Sequence, residues 1–120
     1  MNKNKRVVLM NSAMMPQEGL YTIYRISQEE FFDRLRKAYE EGNLYSYIGY
    51  PTNIDFIARH TGIVLPLSRE QATLQDGDTM LIIKLKYRLQ DPSSKGKHIP
   101  SDDDFEFFIA LYKEGIFRFA

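Results

Sequence analysis

At 120 residues, 43% of them hydrophobic, the chain suits one folded domain with a modest core and is too apolar for a disordered segment. Sixteen Lys and Arg balance sixteen Asp and Glu, which excludes a global basic field for long nucleic acid, so an anionic ligand must be gripped by a local pocket. The lack of cysteine excludes disulfides and thiolate sites, and no apolar run reaches the ~20 residues that cross a bilayer. No signal-peptide core follows the basic start, so a cytoplasmic protein with no membrane partner is expected.

Residues 1–6 read as a polar, basic tail on a single domain spanning 1–120. Val7-Val8-Leu9-Met10 is a short apolar run, a buried strand that ends in the polar pair Asn11 and Ser12. Pro16 and Gly19 mark a loop, and Leu20 to Ile26 alternates at period two, which predicts a second strand. Ser27-Gln28-Glu29-Glu30 is a capping box opening a helix with Phe31, Leu35, Ala38 and Tyr39 on one face. Gly42 is its expected stop.

Leu44 to Ile48 predicts the next strand, and Gly49-Tyr50-Pro51-Thr52 turns it into a helix. Thr52 is the expected N-cap, Ile54, Ile57, Ala58 and Thr61 form the inward stripe, and Gly62 ends the helix. An apolar link, Ile63 to Pro66, leads to a weaker strand candidate over 68–74. Gln75-Asp76-Gly77-Asp78 is a turn, and Thr79 to Leu85 is the strongest strand, apolar on both faces as a central strand is. A long polar loop spans Asp91 to Pro100. Ser101 then opens a third helix with Asp102, Asp103 and Asp104 in its first turn and Phe105, Phe108, Ile109 and Tyr112 along one face. Gly115 closes it, and Ile116 to Phe119 is a last strand. The order β-β-α-β-α-β-β-α-β implies an α/β (α+β) domain: a mixed central sheet of about five to six strands flanked by three helices. The Phe and Tyr count exceeds the need of so small a core and favours a homodimer.

The two histidines, His60 and His98, are not at ligand spacing, and the three consecutive aspartates complement a helix dipole, so neither a metal nor another cofactor is expected. His60 reads as a residue favoured at a helix C-terminus, and His98 sits beside Lys95 and Lys97, either simply solvated or able to close over an anion. No P-loop, GxGxxG, GxSxG or HExxH motif occurs. What remains is polar chemistry at strand ends, where α/β sheets bind ligands: Asn11, Ser12, Tyr50, Thr52, Arg69, Arg88 and Asp91. The strand–glycine–helix junction at Gly49 offers free N–H groups to an anion, and arginine suits phosphate; Arg69 and Arg88 equally suit pairing with surface acids.

These positions carry a resemblance. Leu9-Met10-Asn11-Ser12-Ala13, Ser46-Tyr47-Ile48-Gly49-Tyr50-Pro51-Thr52, Gly62-Ile63 through Arg69, Gln75-Asp76-Gly77-Asp78 and Leu85-Lys86-Tyr87-Arg88-Leu89 occur in this order. Over roughly Val7 to Gly115 the chain resembles the viral type III anti-CRISPR ring nucleases of archaeal viruses, phages and bacterial mobile elements. That resemblance implies a homodimer in an infected or element-carrying host cell, binding cyclic tetra-adenylate across the dimer interface. It also implies metal-independent cleavage, in which a ribose 2′-OH attacks its own 3′-phosphodiester in line and leaves a 2′,3′-cyclic phosphate. Asn11 and Ser12 match the family's ligand-contacting pair, Arg69 its phosphate-binding arginine, and Gly49 and Thr52 the turn around them.

Arg88 matches a catalytic arginine, and Asp91 a glutamate that follows it. The family's general-acid histidine falls on Tyr50. A phenol of ordinary pKa about 10 is a poorer acid at neutral pH than an imidazole near 6.5, and loss of a general acid typically costs ~10²–10⁴ in rate. Positioning and Arg88 can leave slow cleavage, and His98 is the histidine able to replace the missing acid. The rival readings are a non-catalytic nucleic-acid or protein interaction module, and a binder of another small nucleotide on whose base Tyr50 stacks.

Overall fold

The computed structural model describes residues 5–11, 17–86 and 101–115. They contain β1 (Val7–Met10), β2 (Leu20–Ile26), α1 (Gln28–Glu41), β3 (Leu44–Tyr47), α2 (Pro51–Thr61), β4 (Thr79–Leu85) and β5 (Phe105–Lys113). The strands form one mixed sheet in the order β2-β5-β4-β1-β3. β1 lies parallel to both β3 and β4, while β5 runs antiparallel to β4 and β2. The bounds of β2 and β4 coincide with those read from the sequence, and β4 lies at the centre of the sheet, as its two-faced apolar run requires.

Local chemistry sets the helix ends. The Ser27 hydroxyl accepts the Glu30 N–H at 3.0 Å, while the Glu30 carboxylate takes Arg34 one turn on, at 2.9 Å. Gly42 and Gly62 close α1 and α2 in the left-handed conformation, at φ 76° and 77°. α1 buries Phe31, Phe32, Leu35 and Ala38; Tyr39, expected on the inner face, is exposed. Phe56 joins Ile54 and Ile57 on the buried face of α2.

Three expectations fail. The third helix is absent: residues 105–113 form β5, paired over 107–113 with β2 and over 105–111 with β4. Its run of aromatic and aliphatic residues fits helical spacing, yet it is apolar at consecutive positions because both faces are covered. Phe105 and Phe107 meet the helices, while Ala110 and Tyr112 lie on the opposite face. The capping chemistry at Ser101 is real but holds one 3-10 turn, Asp102–Asp104, with the Asp104 carboxylate accepting the Ser101 N–H at 2.8 Å. The mixed sheet is therefore flanked by two helices among the described residues. Residues 68–74 form no strand, and the N-cap of α2 is Tyr50, with Thr52 already inside the helix. The expected strand over 116–119 lies outside the described residues, as do residues 1–4 of the tail.

Two cores result. On the helix side, Leu9, Leu81, Ile83, Phe105 and Phe107 meet Phe31, Phe32, Leu35, Ile54, Phe56 and Ile57. Each fully buried side chain of this size contributes about 1.5–3 kcal/mol. On the other face Val8, Met10, Met80, Ile82, Ala110 and Tyr112 lie under Ala72 and Leu74. There Gln17 joins the covering segments: its amide donates to the Leu74 carbonyl and the Tyr112 hydroxyl, both at 3.0 Å, and its Oε1 accepts the Leu74 N–H at 2.8 Å. Among the described residues no helix is long and apolar enough to cross a membrane.

Candidate functional site

β1, β3 and β4 are mutually parallel neighbours, so their C-terminal ends emerge on one side of the sheet and deliver Asn11, Gly49 and Lys86 there. The Asn11 Oδ1 accepts the Gly49 N–H at 3.2 Å, tying the end of β1 to the turn that follows β3. The Ser68 N–H donates to the Ile48 carbonyl at 2.8 Å and docks the segment after α2 on the same turn. A methyl group on Gly49 would stand 3.1 Å from the Ser68 carbonyl oxygen and 3.8 Å from Arg69 Cγ. Glycine is thus set here by close approach of Ser68 and Arg69, not by a left-handed backbone.

The turn feeds α2 through Tyr50 in extended geometry and Pro51 at the first helical position, where a missing N–H costs nothing. No side chain caps this helix and no acid lies in its first turn, so its positive end is uncompensated. Arg69 is exposed and makes no ion pair among the described residues, which removes the surface-pairing alternative for it there. Tyr50 is 61% exposed with no side-chain hydrogen bond among the described residues, and Thr52 is half-buried beside it.

Asn53 adds a group that sequence reasoning missed. It is only 3% exposed, in the first turn of α2, and its N–H donates to the Tyr50 carbonyl at 3.1 Å. A buried amide side chain makes the inside of this turn polar. Polarity in the first turn of a helix was the visible signal, but it reads equally as capping.

The structure brings together Asn11, Gly49, Tyr50, Thr52 and Arg69. Ser12, Arg88, Asp91 and His98 lie outside the described residues. His60 is elsewhere: its Nε2 is 3.0 Å from Asp102 Oδ1, and its ring lies against Phe32 and Phe56. The Asp102 carboxyl is held below its ordinary value of 3.8, first by the Gln28 amide and then by His60. Asp102 therefore joins a clamp between α1, α2 and the start of β5. No group of three or more His, Cys, Asp or Glu residues is placed to hold a metal among the described residues.

Sheet and turn together define a small α+β protein whose polar strand ends and uncapped helix start meet at one corner. A family model described as STIV B116-like matches residues 7–106, which include this corner, and the chain belongs to that family. Among solved structures it is similar to B116 of Sulfolobus turreted icosahedral virus, with a TM-score of 0.71 and 24% identity over 88% of this chain and 97% of that one. That likeness is one of fold, to a viral protein. No curated protein matches the chain.

Proposed function

We propose that this protein binds cyclic tetra-adenylate as a homodimer, and either cleaves it slowly or only sequesters it, thereby suppressing type III CRISPR defence. The observation that carries this reading is the Asn11–Gly49 bond, which gathers Asn11, Thr52 and Arg69 at the uncapped start of α2 in the order the ring-nuclease resemblance requires. The N–H groups of Gly49, Asn53 and Ile54 are already bonded and Pro51 lacks one. Support for a phosphodiester therefore comes from the uncompensated positive end of α2 and from the Arg69 guanidinium, which makes no ion pair among the described residues. Neutral net charge suits a small anion better than a long one.

In the cleaving form the ribose 2′-oxygen bonds to phosphorus, the bond from phosphorus to the 5′-oxygen breaks, and the proton lost from the 2′-OH is matched by one gained at the 5′-oxygen. Arg88 stabilises the charge on phosphorus, Asp91 serves the 2′-OH, and His98 or Tyr50 supplies the second proton; no metal enters. Incubation with radiolabelled cyclic tetra-adenylate tests both forms. A gel shift alone supports sequestration, a shift with linear product supports cleavage, and absence of both overturns the proposal. The non-catalytic module on the same fold gains support only from a salt-sensitive shift of duplex DNA or a captured protein partner.

A further inference from the structure

We infer that Tyr50 acts as a base-stacking platform, a specificity-determining residue that holds a purine face instead of supplying the proton, the other role offered for it above; this rests on the reading of the α2 turn as a cyclic-nucleotide site. The geometry is the argument. Tyr50 presents most of its ring to solvent although it stands at the head of a helix whose next buried residues are Asn53 and Ile54. Its backbone is tightly fixed: the Tyr50 carbonyl accepts the N–H groups of Asn53 and Ile54 at 3.1 and 3.2 Å, Gly49 is tied to Asn11, and Pro51 follows directly. An exposed aromatic on an anchored backbone loses little conformational freedom when a ligand covers it.

By contrast, the hydroxyl has no hydrogen-bond partner among the described residues. A general acid must be aimed at the leaving oxygen, and an acid that nothing orients is poorly suited to the task. Other aromatics show what a recruited ring looks like here. The Tyr112 hydroxyl donates to the Glu18 carbonyl at 2.6 Å, and Arg6 already lies over Tyr45 at 4.6 Å. Tyr50 has neither kind of partner, and it stands on the turn against which the Arg69 backbone and stem lie. An exposed ring on the turn that Arg69 approaches, with no ion pair to Arg69 among the described residues, offers a nucleotide one contact for the base and one for the phosphate.

The test is equilibrium binding of a cyclic tetra-adenylate carrying one 2-aminopurine, whose fluorescence is quenched on stacking, to wild-type protein and to Tyr50→Phe and Tyr50→Leu. Tyr50→Leu is expected to weaken binding by about 5- to 150-fold, the range for removing a stacked aromatic, and to lose the quenching. Tyr50→Phe keeps the ring and is expected to restore both to within about threefold of wild type. Thermal melts confirm that each exposed substitution leaves the fold intact. Leucine binding and quenching like wild type overturns the stacking role, as does phenylalanine failing as badly as leucine, which would assign the hydroxyl instead. Wild-type protein that binds no ring overturns the site reading itself, and the stacking role with it.

Discussion

Arg6 and Asp78 show how one distant pair fixes the start of the sheet. The Arg6 guanidinium donates from Nε to Asp78 Oδ1 at 3.2 Å and from Nη2 to Oδ2 at 3.0 Å, and Nη2 also reaches the Thr73 carbonyl at 2.8 Å. Asp78, 2% exposed, additionally accepts the Gln75 N–H at 2.7 Å. Removing one partner of such a pair strands a buried charge, so Arg6→Ala is expected to lose about 3–5 kcal/mol in urea unfolding. A loss below about 1 kcal/mol would mean that solvent reaches the carboxylate and the pair is dispensable. At this scale the sequence is least readable. Asp78 looks like a turn residue in Gln75-Asp76-Gly77-Asp78, and Arg6 like part of a basic tail, because their partnership spans 72 positions. Asn53 was hidden for another reason: its polarity in a first turn reads as capping, and its burial is a tertiary fact.

Among the elements, those with local determinants were legible. The Ser27 cap, the glycine stops at Gly42 and Gly62 and the two-faced β4 each depend on neighbours within a few residues. β5 was not legible, because Phe105, Phe108, Ile109 and Tyr112 satisfy helical spacing and the Ser101–Asp104 cap supplies a helix start. What decides in favour of strand is pairing to β2 and β4 on either side, which no window of sequence contains. The start of β5 is clamped by Asp102, whose carboxyl is held below 3.8 by Gln28 and then His60. For a carboxyl with a depressed folded value, the stabilisation is fully present above the unfolded pKa and is lost as pH falls through the folded one. Asp102→Asn is therefore expected to lower the melting temperature slightly at neutral pH and to flatten its decline between about pH 5 and 3. A variant whose melting temperature tracks wild type across that range would show that the clamp contributes nothing.

For the whole molecule, the fold places two helices over one face of the sheet and leaves apolar side chains in the open on its β2 side. Leu20, Tyr24 and Leu111 are exposed on the helix-bearing face of β2 and β5, with Ile23 on the opposite face, and the former three make a surface suited to self-association. The architecture is that of the STIV B116-like family, and the polar strand ends are the place of the proposed site. Isothermal titration of cyclic tetra-adenylate into the protein tests the central claim most directly. The account predicts saturable heat with one ring bound per two chains, and an affinity reduced about tenfold or more by Arg69→Ala, whose charge-assisted contacts to phosphate would be lost. Absence of binding heat at several temperatures, or binding that Arg69→Ala leaves unchanged, would contradict it.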